Sequence, residues 1–462
     1  MSQDTARPNA FTHGPPGLTL LKTALPIILV MSMNGFLTVA DAIFLGIYVG
    51  PDALSAVTLM FPAYMLLAAM ATLIGNGMAS LLARALGGNR VEDARAAFTG
   101  AHGLALCLSA ALITLFMLFG HSVTTAAASG SLLIAGMSHT YLAITIFSSP
   151  LLFVLSVNAD ALRSEGRIGL MAATSVLVSL ANIAFNFVLV AVFDFGVAGS
   201  AYGTVLAQTC AMSSVLVFRS FGQTVLRPKA LLAHPFTAKW PSILALGAPQ
   251  SLSFIGIALG STATFAVLQI YGASNYANTV AAFGVITRIM TFFFLPLLGL
   301  SQALQAMIGN NFGAQLWDRS NVTLKLGMLA ALIYCLGAQL VLSFLAHPIG
   351  LIFVEDIKVA DEMARILPIM VAMYFAAGPL LVIASYFQAI GDAKRAALLS
   401  LVRPYLFFLP IVWLLPALIG EQGIWLAGPV SETLQVALVV LILTMSARRS
   451  SLRWGLFRTA SV

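Results

Sequence analysis

Apolar stretches of bilayer-spanning length run through almost the whole chain. A helix needs about 20 apolar residues to cross the hydrocarbon core, and polar breaks divide this chain into twelve such stretches. With 60% hydrophobic and 8% charged residues, a soluble domain is excluded. The sequence therefore predicts an all-α integral membrane protein. The expected spans are 20–50, 54–83, 95–119, 131–160, 168–193, 197–218, 241–271, 276–310, 322–346, 361–390, 396–419 and 423–447.

Basic residues predict the orientation of these spans. If the N-terminus is cytoplasmic, the inner segments carry nineteen of the 23 Lys and Arg residues, and the outer segments carry only Lys358 and Arg365. Positive charge marks the cytoplasmic side, so we expect a multi-pass protein of the cell inner membrane with both termini cytoplasmic. The scattered basic residues favour contacts with anionic membrane lipids over nucleic acid.

Short patterns recur about 225 residues apart. Leu25-Pro26 returns as Ala248-Pro249, and the segment 86–89 returns as 312–315. Each half holds six spans, which predicts two lobes related by pseudo-two-fold symmetry along the membrane normal, as in transporters; a duplication without mechanistic meaning is the alternative. The expected parts are an N-terminal tail 1–19, an N-terminal lobe 20–218, a cytoplasmic linker 219–240, a C-terminal lobe 241–447 and a basic tail 448–462.

Asp41 is the acidic residue that says most about function. It lies in the run 25–48, where Tyr48 at the edge is the other ionisable residue. A carboxylate in hydrocarbon is costly, and such residues mark ion and proton paths, although a packing role remains possible. The repeat places Thr264 at the equivalent position of the second half, so the acid breaks the internal symmetry.

Three further polar residues are expected near the depth of Asp41. Asp41, Asn186 and Thr204 each lie eight or nine residues from the outer end of a span, and Asn182 lies four residues before Asn186 on one helical face. Their oxygens could bind a small cation such as Na⁺ or accommodate a protonated Asp41. The alternative is a set of hydrogen bonds that only holds helices together.

Other polar residues and one proline are weaker candidates. Asn158 and Glu432 are expected to be buried polar groups within the membrane or to reach a headgroup. Arg288 must face a partner or a wet cavity, and it could neutralise Glu432 or another carboxylate, or contact substrate. Pro26 is either a kink and hinge in the first span or a well-tolerated first-turn proline.

Enzyme signatures are missing from the sequence. There is no GxxxxGK[ST] loop, no HExxH and no paired Cys or His at metal-ligand spacing. We therefore expect a protein that is not an enzyme and takes no cofactor, driven by an ion gradient rather than by ATP.

The first span resembles that of the MATE (multidrug and toxic compound extrusion) transporters in Leu25-Pro26 and in the run 39–46. Similar matches occur at 83–87, 310–314, 386–391 and 423–427, so the resemblance covers residues 18 to 447. The seventh span holds no acid before Tyr271, which places the chain nearer to the DinF-like branch than to the NorM branch.

The resemblance implies a secondary active antiporter that exports bulky amphipathic, often cationic compounds in exchange for H⁺ or Na⁺ by alternating access. It assigns the family's coupling acid to Asp41, its fifth-helix Asn to Asn182 and its sixth-helix Thr to Thr204. Asn186 stands where some DinF-like members have Asp. This loss of charge weakens Na⁺ binding and any two-carboxylate proton relay, and it leaves Asp41 as the sole titrating group of the N-terminal lobe; we expect coupling to H⁺ rather than to Na⁺. The implied partners are small-molecule drugs or toxins, the coupling ion and membrane lipids, with the chain acting as a monomer.

Two rival classes follow from the same architecture. A lipid-linked precursor flippase would need several deep cations for a pyrophosphate, whereas Arg288 is the single deep cation expected here. A channel or receptor would show no substrate-dependent proton movement.

Overall fold

The computed structural model describes residues 9–128, 131–271, 276–354, 356–450 and 453–457. These residues are almost entirely helical, and the strand-like pairing among them is an isolated bridge between Arg453 and Phe457. The all-α prediction is confirmed. The helices are α1 (Pro16–Tyr48), α2 (Pro51–Leu59), α3 (Phe61–Gly87), α4 (Val91–Ala127), α5 (Leu132–Phe147), α6 (Ser149–Ser164), α7 (Ile168–Asn186), α8 (Gly196–Phe221), α9 (Trp240–Tyr271), α10 (Tyr276–Gly313), α11 (Trp317–Phe344), α12 (Ala346–Phe353), α13 (Ile357–Met370), α14 (Tyr374–Ile390), α15 (Ala393–Leu401), α16 (Leu409–Ile419) and α17 (Gln422–Ser450).

The described helices account for the expected membrane spans. Ten are long and apolar enough to cross a membrane, when α7 and the α15–α16 pair are taken with the π-helical turns that follow or join them. Two bent pairs, α5 with α6 and α13 with α14, bring the number to twelve if each pair is one span. Twelve spans, the number expected from the sequence, thus fit the structure.

The fourth and tenth spans are broken, although the sequence suggested continuous helices over 131–160 and 361–390. The α5–α6 pair bends by 49° and the α13–α14 pair by 51°. Pro150 lies in the first turn of α6, and Pro368 lies two residues before the end of α13. Proline disfavours helical backbone in the preceding residue and removes a donor, which explains why the helices stop here. The breaks, at Phe147 and Met370, are 223 residues apart, an offset that also appears in the sequence repeat.

Two compact units make up the structure. The first consists mainly of Leu25–Ser251; the second consists mainly of the residues from Leu252 onward, together with Phe11–Ala24. Both boundaries fall inside helices, α1 and α9, and lie within two residues of Pro26 and Pro249. The lobe boundaries expected from the sequence remain a prediction.

Each unit has its own apolar core. In the first, Ile74, Phe98 and Phe153 are among the buried residues contributed by α3, α4 and α6. In the second, Phe283 of α10 and Trp425 of α17 are buried together with residues of α9 and α13. These cores fix the helices that carry the polar residues described below.

The connection that follows α8 packs closely on the first unit. A Cβ at Gly100 would lie 1.7 Å from the carbonyl oxygen of Ala238, so only glycine lets the two backbones approach. Trp240 Nε1 donates to the Gly100 carbonyl at 2.8 Å, and Thr99 Oγ1 donates to the Ala230 carbonyl at 3.0 Å. These contacts hold the segment against α4.

Candidate functional site

A chain of hydrogen bonds links three helices of the first unit and ends at Asp41, which accepts the last bond. Asn186 Nδ2 donates to Asp41 Oδ1 at 2.7 Å and to Asn182 Oδ1 at 3.2 Å. Asn182 Nδ2 donates to Thr204 Oγ1 at 2.8 Å, and Thr204 donates to the Ser200 carbonyl at 3.2 Å. The structure thus brings together all four residues that the sequence placed at one depth.

The amides of this cluster are deeply buried, and one atom lacks a partner. Asn182 and Asn186 are 1% and 0% exposed. Both N–H groups of the Asn186 amide are used, whereas its Oδ1 is buried without a hydrogen-bond partner among the described residues. An unpaired buried acceptor costs about 1–3 kcal/mol. The cluster therefore holds a vacant acceptor beside the carboxyl group.

Gly203 is the residue that makes room for Asn186. A Cβ on Gly203 of α8 would lie 2.1 Å from Asn186 Oδ1 and 3.1 Å from the Asn186 backbone nitrogen. Any side chain here must displace the Asn186 amide or separate α7 from α8. This role cannot be recognised in the sequence, because a glycine inside an apolar helix gives no sign of what it faces.

The partners of Asp41 decide how well its charge is stabilised. Within the described residues neither Lys nor Arg forms an ion pair with Asp41. Its neighbours are therefore neutral hydrogen-bonding groups, which stabilise a charge less than a cation would.

Asn158 belongs to a second buried network in the first unit. Its Nδ2 lies 3.2 Å from His102 Nε2, and its Oδ1 accepts from Arg219 Nε at 2.5 Å. Because His102 Nδ1 lies 2.8 Å from the Phe98 carbonyl, Nδ1 carries the proton and Nε2 accepts. Arg219 also stacks on the Phe98 ring, 4.7 Å from its centroid. Asn158 thus orients an arginine and does not contact Asp41.

Glu165, directly after α6, pairs with the same arginine. Arg219 Nη1 lies 3.4 Å from Glu165 Oε2, and Thr224 donates to the other carboxylate oxygen. Burial raises the pKa of the Glu165 carboxyl, and the charge of Arg219 opposes that shift. The pair fastens the end of α6 to the end of α8.

Arg219→Gln should destabilise the protein by about 3–5 kcal/mol, because removing one partner leaves a buried, uncompensated charge on Glu165. Unfolding in detergent, followed by circular dichroism, measures the effect. Arg90→Gln is the matched control, since the Arg90–Asp93 pair has exposed side chains and such pairs contribute about 0–1 kcal/mol. Equal losses in the two variants would contradict the role of Arg219.

Glu432 in the second unit pairs with Arg403. Arg403 Nε lies 2.5 Å from Glu432 Oε2, and the Glu432 side chain is 5% exposed. The suggested pairing of Glu432 with Arg288 is therefore wrong. Arg403 lies in a π-helical turn, Val402–Phe408, and that irregular backbone could not be foreseen from an apolar run.

Pro26 lies in the interior of a helix. It is the eleventh residue of α1, which begins at Pro16. A first-turn position is therefore excluded, and the hinge role stays a prediction.

The chain has the architecture of a polytopic membrane transporter built from two related halves. The sequence model of the MatE family matches residues 26–188 and 249–414, which together exceed half of the chain. This chain belongs to the MATE family.

Characterised relatives match the chain along most of its length. It is 25% identical to the FAD transporter of Shewanella oneidensis, over 91% of this chain and 92% of the relative. It is 23% identical to the multidrug export protein MepA of Staphylococcus aureus, over 94% of both chains. It is 24% identical to the probable multidrug resistance protein YoeA of Bacillus subtilis, over 85% of this chain and 86% of that one.

Solved structures show the same fold. An outward-facing multidrug resistance MATE family transporter of the MOP superfamily has a TM-score of 0.87 at 20% identity, covering 96% of this chain and 100% of that chain. A MATE structure in the straight conformation has a TM-score of 0.84, also at 20% identity, covering 96% and 98%.

Proposed function

We propose that this transporter exports bulky amphipathic compounds in exchange for protons by alternating access, with Asp41 as the coupling group. The observation that carries the proposal is a carboxyl group within α1 whose partners are neutral and whose hydrogen bond comes from Asn186. A charge held only by neutral groups in a poorly solvated site can be neutralised by a proton at modest cost. A carboxylate clamped by arginine would not respond in this way.

Protonation changes what Asp41 can offer to Asn186. The charged carboxylate only accepts hydrogen bonds, whereas the neutral acid also donates one. The vacant Oδ1 of Asn186 is the acceptor for that new donor once the amide rotates. Rotation withdraws the N–H groups from Asp41 and Asn182, so one proton rearranges the whole chain of hydrogen bonds. In our proposal this rearrangement bends α1 at Pro26 and expels the substrate.

The direction of the hydrogen bond between Asn186 and Asp41 favours coupling to H⁺ over coupling to Na⁺. Asn186 points an N–H group at Asp41, whereas a Na⁺ site needs converging oxygen ligands. Among the described residues no group of three or more His, Cys, Asp or Glu is placed to hold a metal ion. A Na⁺-coupled antiporter, with Asp41, Asn182, Asn186 and Thr204 as ligands after amide rotation, is the alternative.

Reconstituted transport tests the proposed function. Proteoliposomes are loaded with a fluorescent amphipathic cation, and a pH gradient or a Na⁺ gradient is imposed separately. We expect the pH gradient to drive transport and the Na⁺ gradient to have no effect. Transport driven only by Na⁺ would assign the site to that ion, and no transport under either gradient would overturn the proposal.

Asn186→Asp should make transport respond to Na⁺. The variant adds a second carboxylate beside Asp41 and removes the amide N–H that faces it, which supplies the hard oxygen ligands that Na⁺ prefers. The same vesicle assay measures the response. Asn182→Asp is the comparison variant, because the Asn182 amide does not contact Asp41 directly. An equal response to Na⁺ in the wild type and in Asn186→Asp would contradict the reasoning.

The wider setting follows from the relatives and the charge pattern. The relatives are named for multidrug export and for FAD transport, which supports bulky amphipathic drugs or toxins as substrates. We place the protein in the cell inner membrane with both termini cytoplasmic, surrounded by lipid, and acting as a monomer.

A further inference from the structure

We propose that Arg288 binds an anionic group, a carboxylate or a phosphate, of the transported compound. This inference rests on the proposed function and specifies its substrate: an amphipathic molecule that carries a negative charge, alone or beside a positive one. The evidence is the position of this arginine, its lack of a counter-ion and the surface that surrounds it.

Arg288 lies deep in its helix. It is the thirteenth residue of α10, about 18 Å from the helix start at ~1.5 Å per residue. The helix has 38 residues, about 57 Å at that rise, and the hydrocarbon core of a bilayer is about 30 Å thick, so the guanidinium is expected inside the membrane, in the half nearer the start of α10. A charge there must meet a counter-charge or water.

No counter-charge is provided by the part of the chain that the structure describes. Glu432, the carboxylate that the sequence suggested, is taken by Arg403. The buried arginines of the first unit are paired in the same way: Arg163 lies 2.8 Å from Asp160, and Arg219 pairs with Glu165. Arg288 forms no such pair among the described residues, and its side chain is exposed. The buried arginines stabilise the fold, whereas Arg288 remains available.

The exposed side of α10 does not look like a lipid-facing surface. After Tyr276, the exposed residues of α10 are small or polar: Ala277, Ala281, Arg288 and Thr291. Val285 and Phe292, the apolar residues three before and four after Arg288, are half-buried. Within the described residues of α10, Tyr276 at its start is the one large hydrophobic side chain that is exposed. By contrast α11 exposes a row of large apolar residues, namely Leu329, Leu332, Ile333, Leu336, Leu340 and Phe344.

This contrast indicates that the side of α10 that carries Arg288 faces water rather than lipid. Helices covered by lipid expose bulky apolar side chains, and a charged residue within the membrane faces a water-filled cavity. Thr291, one turn beyond Arg288, donates to the Thr287 carbonyl at 2.8 Å and presents its oxygen lone pairs to that face. A planar guanidinium with five donors can bind a carboxylate or phosphate through two parallel hydrogen bonds.

Binding of a matched pair of dyes tests the inference. Rhodamine B carries a free carboxylate, and its ethyl ester has the same ring system without that charge. Fluorescence polarisation with the purified, detergent-solubilised full chain gives the dissociation constant of each. We expect the wild type to bind the carboxylate dye more tightly than the ester, and Arg288→Gln to weaken carboxylate binding about tenfold while the ester is unaffected.

Two further variants make the result specific. Arg288→Lys keeps the charge but loses the bidentate geometry, so it should restore carboxylate binding in part. Lys358→Gln removes an exposed positive charge at the start of α13 and should change neither dissociation constant. Equal effects of Arg288→Gln on both dyes, or none on either, would overturn the inference.

Two more measurements distinguish this inference from binding of a lipid headgroup and from failure of the proposed function. Adding phosphatidylglycerol should leave the preference for the carboxylate dye intact; if it erases that preference, Arg288 binds a headgroup phosphate and the inference fails. The proposed function has its own readout, the export of the ester dye under a pH gradient. Export of the ester without any preference for the carboxylate would sink the inference alone, whereas loss of all export would sink both.

Discussion

Asp41→Asn should reduce export driven by a pH gradient to the level of protein-free vesicles. Asparagine has nearly the same shape, and its Oδ1 can still accept the hydrogen bond that Asn186 donates at 2.7 Å, so the helices should pack as before. What it cannot do is gain or lose a proton. Its Nδ2 group also offers a permanent donor to Asn186, as the protonated acid does, so the hydrogen-bond chain to Asn182 and Thr204 no longer switches with protonation.

The controls separate coupling from folding. Asp52→Asn changes an exposed acid in the first turn of α2, and its export should match wild type. Gel filtration and circular dichroism should show that the Asp41→Asn protein is inserted and helical. Dye binding should persist in this variant, because the substrate does not need the proton to bind. Undiminished pH-driven export would remove Asp41 from the coupling role.

Gly203→Ala should abolish export almost as completely, by a different route. The new methyl group would lie 2.1 Å from Asn186 Oδ1 and 3.1 Å from the Asn186 backbone. The amide must therefore turn away or α7 and α8 must separate, and overpacking of this kind costs about 1–3 kcal/mol. Either response breaks the hydrogen bond to Asp41. Initial rates of dye export in proteoliposomes measure the loss.

Gly169→Ala is the matched control for this substitution. Gly169 lies in α7, the helix that carries Asn186, and an added Cβ there meets nothing within 4 Å. Its export rate should equal that of the wild type. If Gly203→Ala exports normally while a crystal structure shows Asn186 displaced, the position of that amide is unimportant and the hydrogen-bond mechanism is wrong.

Much of the fold and part of the site could be predicted from the sequence. Membrane spans are recognisable because each must hide its backbone in hydrocarbon, which makes their apolar length diagnostic. Depth counted from the span ends was enough to bring Asp41, Asn182, Asn186 and Thr204 together, because a helix converts sequence distance into height. In the structure these four residues are joined by direct hydrogen bonds, while their role in coupling stays a prediction.

The remaining features depend on rotation about helix axes and on backbone irregularity, which sequence distance does not encode. The partner of Glu432 proved to be Arg403 in a π-helical turn, and the contact of Gly203 with Asn186 depends on which faces of α7 and α8 meet. The breaks beside Pro150 and Pro368 were obscured because apolar composition continues across them. The direction of the hydrogen bonds from Asn186 and Asn182 appears only when atoms are placed.

Simultaneous recording of lumenal pH and dye movement in the same proteoliposomes is the measurement that tests proton exchange at Asp41 most directly. In the wild type, adding substrate without any imposed gradient should move protons in the direction opposite to the dye, with a fixed ratio between the two fluxes. In Asp41→Asn the substrate-dependent proton flux should vanish. Proton movement that persists at the wild-type ratio in Asp41→Asn would contradict the mechanism.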